Sequence, residues 1–268
     1  MSSPDPITQG LEVRTYFVRG RNALIARADF GELYVDYYLH QGQHGRQHLP
    51  AHDELLKETL GALTLHCASR PWNESWAWTI HFTDPLLNLF VSGDNRRGNI
   101  VGQLFTEEVK DDGQPLFVAD VIRERQDPRR SAIELEGPAD PFAAVERFYA
   151  MSEQRPARFF RHGPEDFVLI TAQPQCDLEW LESLDQTAVQ ILDQTEQLSL
   201  LEVRRYRWEC GCTQERMLGV LAPIMRADPD SLFEDEESLR MSCPRCGARY
   251  IITREAMEAY VNPGAGGE

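Results

Sequence analysis

Apolar and polar positions change their period several times along the chain, and each change marks an element. Residues 15–18 and 21–30 are extended apolar stretches that predict strands, and 31–41 reads as a helix with Leu33, Val35 and Tyr37 or Tyr38 inward. From Pro50 the period is helical, with Asp53 and Glu54 in the first turn and Leu56, Leu60, Leu63 and Cys67 along one stripe. Trp76, Trp78, Ile80 and Phe82 then alternate with Ala77, Thr79 and His81, the pattern of a half-buried strand. Residues 86–91, 99–109, 116–124 and 131–136 continue a meander between polar turns. Asp140-Pro141 opens a helix carrying Phe142, Val145, Phe148 and Tyr149 on one side, and Pro156 separates it from strands over 157–160 and 167–172.

From Asp177 the period is helical again through Leu178, Leu181, Leu184, Ile191 and Leu192, followed by Leu198, Leu200 and Leu201. So apolar a segment needs a surface to lie on, and the sheet of the core is the one expected. Strands in runs, with few helices between them, predict an α+β fold rather than a wound parallel sheet. The expected architecture is a sheet-rich N-terminal core with packed helices, a helical linker, and a small C-terminal domain built on four cysteines.

Those cysteines are Cys210-Gly211-Cys212 and Cys243-Pro244-Arg245-Cys246, thirty residues apart. Two closely spaced thiol pairs match the ligand count of a closed tetrahedral zinc site, so Cys210, Cys212, Cys243 and Cys246 are the expected ligands of one Zn2+. From Arg204 onward, Tyr206, Trp208, Cys210 and Cys212 share a parity opposite to Arg205, Arg207 and Glu209, which aims both thiols of the first pair the same way at a strand end. Leu239, Met241 and Cys243 share a parity too, and Pro244 with Gly247 fits a tight knuckle around a metal. Between the pairs, Thr213 is positioned to cap a helix whose apolar residues Met217, Val220, Leu221 and Ile224 fall at i, i+3, i+4 and i+7; Asp228-Pro229 opens a short acidic helical segment, and Thr253 is positioned to cap a last helix. A module this small buries little apolar surface, so four thiolates on a metal would supply much of its folding free energy.

Other patterns resolve into structure. His40, His44, His48 and His52 recur every four residues, but Gly42, Gly45 and Pro50 interrupt a helix there, and a polar connector is the reading. Gly93, Asn95 and Gly98 resemble a phosphate loop only superficially: no helix follows and no Lys-Ser/Thr pair is present, so a hairpin turn is expected. Cys67 takes a core position, and Cys176 falls in the joint after the last core strand, with no assigned role. No catalytic triad, zinc-protease or nucleotide-binding motif appears, so no enzymatic activity is expected.

With 27 basic against 43 acidic residues, the net charge of −16 opposes nucleic-acid binding. The first residues lack a basic and an apolar region of the secretory kind, and no apolar run of membrane-spanning length occurs. A cytoplasmic protein without membrane association is expected, and in a reducing compartment its six cysteines point to metal rather than to permanent disulfides.

Taken together these residues resemble the heat-shock protein 33 family of redox-regulated chaperones. Asp84-Pro-Leu-Leu-Asn-Leu-Phe-Val-Ser-Gly-Asp-Asn95 occupies the place of the family's core hairpin, and Phe148-Tyr-Ala-Met-Ser-Glu-Gln-Arg-Pro-Ala157 is similar to its helix ending in Ser-Glu-Gln-x-Pro. Cys210-x-Cys212, with Glu215-Arg216 just after, and Cys243-x-x-Cys246-Gly247 resemble its zinc motif.

The resemblance implies a loose leader over 1–10, a substrate-binding and dimerisation core over 11–176, a linker over 177–207, a zinc-binding redox-switch domain over 208–262 and a flexible tail over 263–268. It implies an ATP-independent holdase of the stress response, quiet when reduced and zinc-bound. Oxidation would pair Cys210 with Cys212 and Cys243 with Cys246, release zinc and expose apolar surface to unfolding client proteins, with a homodimer on activation. The chain departs from the family in its linker, because Leu201 leads almost directly to Cys210. Two rival expectations are a zinc-stapled adaptor of the same fold without a working switch, and a thiol-disulfide oxidoreductase using Cys243 and Cys246.

Overall fold

The computed structural model describes residues 10–262 apart from residues 112 and 235. The leader expected over 1–10, save Gly10, and the tail over 263–268 lie outside the described residues.

In chain order the elements are β1 (Leu11–Val18), β2 (Ala23–Asp29), α1 (Gly31–Gln43), α2 (Pro50–Ala68), β3 (Glu74–Thr83), β4 (Leu86–Asp94), β5 (Asn99–Phe105), β6 (Leu116–Arg123) and β7 (Arg129–Glu134). There follow α3 (Pro141–Met151), β8 (Ala157–Arg161), β9 (Asp166–Ala172), α4 (Leu178–Ser183), α5 (Gln186–Gln190), α6 (Leu192–Thr195) and β10 (Leu198–Trp208). The C-terminal part holds α7 (Gln214–Ala227), α8 (Pro229–Phe233), β11 (Ser238–Ser242), β12 (Arg249–Thr253) and α9 (Arg254–Val261). The fold is α+β, as the mixture of periods predicted.

One ten-stranded sheet runs β7-β6-β3-β4-β5-β10-β1-β2-β9-β8. Each half is antiparallel, but neither is a simple meander, because β6 returns to pair with β3 and β9 pairs with β2; among the described residues the halves meet where β10 runs parallel to β5 at Arg207↔Asn99 and Trp208↔Ile100. Sequence patterning set most of this directly. Trp76, Trp78, Ile80 and Phe82 all turn into the core, and Asp140 caps α3 by accepting from the Phe142 and Ala143 amides. The strands expected as one meander are sequential neighbours from β3 to β5, as in β3–β4 and β4–β5, but β6 crosses back to the far edge of β3.

The stripe expected on α2 is broader than the sequence suggested. Every residue from 56 to 68 is buried, because α2 is covered by both half-sheets and by α3. Its charged residues are paired: Lys57 with Glu165 at 3.1 Å, and Glu58 with Arg161. A helix enclosed on all sides carries no single apolar face for periodicity to detect.

The linker expected to be helical over 177–207 divides in two. Its first part forms α4, α5 and α6, whose Leu181, Leu184, Val189 and Leu192 pack on Ile25, Phe160, Val168 and Ile170 of the sheet, the surface its leucines required. Residues 198–208, however, are the strand β10, paired antiparallel with β1 from Leu198 to Tyr206. The three leucines at 198, 200 and 201 imitate a helix because the register shifts opposite Thr15 and Tyr16: Glu202 pairs with Thr15, Leu200 with Tyr16, and Leu201 is the extra residue of a bulge. Beyond the bulge, Arg204 and Tyr206 are buried while Arg205 and Arg207 are exposed, the alternation of a strand.

Candidate metal centre

The two cysteine pairs arrive on different elements. Cys210 and Cys212 follow the end of β10, so the first pair extends directly from a core strand. Cys243 and Cys246 sit in the turn of the β11–β12 hairpin, which pairs from Ser238↔Thr253 to Ser242↔Arg249. Within that turn the Gly247 amide donates to the Cys243 carbonyl at 2.9 Å, and the Cys243 amide donates to the Ala248 carbonyl at 2.8 Å. Gly247 has φ of 72°, the left-handed conformation that the knuckle demands and that a side chain disfavours. The helices between and after the pairs begin as the sequence predicted, with Thr213 accepting from the Arg216 amide and Thr253 from the Ala256 amide.

The four sulfurs converge. All lie within 4.8 Å of one another, with Cys210 Sγ 3.7 Å from Cys243 Sγ and Cys212 Sγ 3.5 Å from Cys246 Sγ. A tetrahedral zinc with Zn–S bonds of about 2.3 Å has sulfur–sulfur edges of about 3.8 Å, so the donor set fits that ion in number, type and spacing. Hydrogen bonding among the thiols pushes Cys212 and Cys243 down, with Cys210 the first partner of each, and pushes Cys210 and Cys246 up, so the four share protons as one cluster. Tyr250 Oη also donates to Cys212 Sγ at 3.1 Å.

The module's own core is small: Met217, Leu218, Leu221, Ala222 and Met225 of α7 close on Phe233, Ile252 and Met257. Around the sulfurs a second cluster crosses to the N-terminal core, where Cys243, Cys246 and Ala248 cover Val101 of β5 beside Trp208.

Polar contacts fix this seat. His40 of α1 reaches the Cys246 carbonyl, and Arg46 reaches that of Gly247 at 3.4 Å. The Arg249 amide donates to His44 Nδ1 at 3.1 Å, and its guanidinium to the Gly45 carbonyl at 3.0 Å. Arg245, inside the second cysteine pair, donates to Ser92 Oγ at 3.0 Å and to the Cys210 carbonyl at 3.5 Å.

Sequence reasoning read the histidine run as a plain connector. His40 instead lies in α1 and, with His44, lines the seat of the knuckle. Two of the four regularly spaced histidines, His40 and His44, thus share one contact surface. Tyr250 and Arg245 gave no signal apart from standing within a few residues of a cysteine. Cys67 is a fully buried core thiol raised by burial, and Cys176 is half-buried beside the α4–α6 cluster. Among the described residues no helix is long and apolar enough to cross a membrane.

Fold and site together define an α+β protein whose small C-terminal module closes on a cluster of four thiols able to hold a metal ion and seats that cluster on the core sheet. Comparison with known proteins is consistent with this. The family model described as "Hsp33 protein" matches residues 168–253, from β9 through β12. A 33 kDa chaperonin of Caldanaerobacter subterraneus is 32% identical over 63 residues, 24% of this chain and 21% of that protein. The 33 kDa chaperonins of Aliivibrio salmonicida and Pseudomonas aeruginosa match at 24% and 25% identity over 73% and 80% of this chain, and 78% and 84% of theirs. The crystal structure of the 33 kDa chaperonin from Thermotoga maritima shares the fold, with a TM-score of 0.73 over 95% of this chain and 98% of that one, at 14% identity. The resemblance to the heat-shock protein 33 family stands.

Proposed function

We propose that this protein is an ATP-independent holdase chaperone controlled by the oxidation of Cys210, Cys212, Cys243 and Cys246. The observation that carries the reading is the double duty of the knuckle, which supplies two of four metal-site thiols and covers Val101 and Trp208 of the core. When zinc is bound, it supplies folding free energy to a module whose own apolar core is small. Each pair of thiolates that forms a disulfide gives up two electrons; one hydrogen peroxide accepts them with two protons and yields two waters. Two such steps, pairing Cys210 with Cys212 and Cys243 with Cys246, leave no thiolate to hold an ion.

The module then loses its main support, and the knuckle leaves its seat. Apolar surface of the core and of α7 becomes available to unfolding clients, and to a second copy of the chain in an activated homodimer. Placement in the cytoplasm accords with a switch that rests in the reduced state.

The test pairs zinc release with aggregation. Peroxide with mild heat is expected to release about one zinc per chain and to switch on suppression of client aggregation in the same samples. Zinc loss with no gain of holdase activity refutes the reading.

One observation favours a second reading, a zinc-stapled adaptor of the same fold without the switch. β10 is built into the middle of the sheet, so less of the linker is free to unfold than a helical linker would allow. Under that reading Cys243→Ser disrupts the module, and oxidised protein suppresses aggregation no better than reduced protein.

A further inference from the structure

An open cleft of about 460 Å³ lies at the seam between the two half-sheets, remote in role from the sulfur centre. β10 and β5 pair at two positions, and the turn at residues 95–98 lies beside β10, its Gly98 carbonyl accepting from the Arg207 amide at 2.9 Å. That turn is the one whose glycines imitate a phosphate loop in sequence.

Five arginines line the cleft: Arg96 and Arg97 from the turn, and Arg204, Arg205 and Arg207 from β10, with the half-exposed Trp72 beside them. No aspartate or glutamate is among the described residues that line it. In a chain of net charge −16 the cleft gathers five guanidinium groups whose carboxylate partners all stand outside its lining.

The frame under these side chains is fixed. The buried Asn95 amide donates to the carbonyls of Cys67 and Pro71, each at 2.9 Å, and its oxygen accepts from Tyr206 Oη at 2.9 Å. Arg204 donates to the Arg70 carbonyl at 2.7 Å and lies over the Trp72 ring, 4.3 Å from its centroid. Gly98 has φ of 60°, and a Cβ there would stand 2.4 Å from the Arg205 carbonyl oxygen, so the turn approaches β10 as closely as only glycine permits.

Four of the arginines have carboxylate partners outside the lining: Arg96 with Glu124, Arg204 with Glu202, Arg205 with Glu12 and Arg207 with Glu209. Arg97 has no carboxylate partner for its guanidinium among the described residues. A planar guanidinium binds phosphate oxygens through two parallel N–H donors, and several together suit an anion of multiple charge. The cleft is also within the size range of small-ligand sites, about 300–1,000 Å³.

We propose that this cleft binds a small multivalent oxyanion of the oligophosphate class, with Arg97, Arg96 and Arg207 as its principal contacts. The site is independent of the thiol switch, and its failure would leave the chaperone reading untouched.

The probe is inorganic triphosphate, titrated into the reduced full-length protein at low ionic strength, with calorimetry and tryptophan fluorescence as readouts. Saturable one-site binding is expected, weakening as salt rises. Arg97→Glu is expected to weaken it at least about tenfold, roughly 1.4 kcal/mol. The control Arg130→Ala, at the edge strand β7, is expected to leave it unchanged. Inorganic sulfate is expected to bind at least about tenfold more weakly than triphosphate. Absence of saturable triphosphate binding overturns the proposal. So does an affinity in Arg97→Glu equal to that of the control, or equal affinity for sulfate. Circular dichroism of Arg97→Glu matching the unsubstituted protein confirms that the comparison is made on folded chains.

Discussion

His40 Nε2 lies 3.0 Å from the carbonyl oxygen of Cys246, a hydrogen bond spanning 206 positions of the chain. The imidazole N–H donates and the carbonyl accepts, so the bond needs only the neutral ring. Burial lowers the His40 pKa and keeps the ring in that form. It ties α1 to the backbone of the knuckle rather than to a sulfur, so it occupies none of the four thiols that could hold a metal ion.

Removing this tie should loosen the seat without removing a ligand. His40→Ala is expected to cost about 1 kcal/mol of docking and to speed zinc release to a chelator, with zinc content before challenge unchanged. Arg245→Ala, which loses the Ser92 contact, should act in the same direction. Release followed with a metal-sensitive dye checks both, and unchanged rates in the double variant would show that the polar seat does not restrain the module.

Cys243→Ser should behave differently, because it removes both a ligand and part of the apolar cover over Val101. The expected result is loss of bound zinc and of the helical signal of α7 and α9, with the core transition retained. Limited proteolysis should cut beyond residue 208 in the variant and spare the sheet. The contrast follows from the two cores: the buried residues of the large cluster around α2 end at Tyr206, with Trp208 alone of the module packed against them among the described residues.

Gly247 tests the knuckle's backbone. Alanine there would have to hold φ near 72°, at a cost of about 1–2 kcal/mol, and its Cβ would stand 2.8 Å from the Arg46 guanidinium. Gly247→Ala should therefore lower zinc affinity and displace Arg46, while Gly113→Ala, where a Cβ meets nothing within 4 Å, serves as a control with a left-handed backbone but no neighbour. Competition for zinc against a chelator measures the difference.

How much of this was legible in the sequence depends on whether the signal was local. The sulfur tetrad was readable because ligand spacing, parity and capping residues all lie within a few positions of one another. The strands of the first half-sheet were readable because they half-bury themselves and alternate, as Trp76 to Phe82 do, but the return of β6 to β3 rather than β5 was not, since no local pattern sets which edge a strand joins. β10 was misread over its first residues because a bulge at Leu201 breaks the period of two, and a broken period of two looks helical in a short window. The seat of the knuckle was invisible for another reason: His40 and Cys246 meet only through the tertiary fold, and nothing in either local pattern names the other. Arg96 and Arg207 likewise share a cleft only because β10 crosses from one half-sheet to the other.

The last prediction concerns acid. His66 is fully buried in α2, with Nδ1 2.7 Å from Tyr149 Oη and its ring edge-on to Trp76, and burial holds its pKa well below the usual histidine value. A depressed folded-state pKa means that the unfolded chain takes up the proton first. The contribution of His66 is therefore fully present above an unfolded pKa of about 6.5, and is lost as pH falls below it, at up to about 1.4 kcal/mol per pH unit. Thiolate protonation at the metal centre acts in the same direction, so the two must be separated. His66→Gln keeps a polar side chain at that position and removes the titration. The fall in unfolding free energy between pH 7.5 and pH 5.5, values chosen to lie about one unit either side of the unfolded histidine pKa, should be smaller in His66→Gln than in the unsubstituted protein. Denaturant titrations at the two pH values measure it, and equal falls would mean that the buried imidazole does not contribute to acid sensitivity.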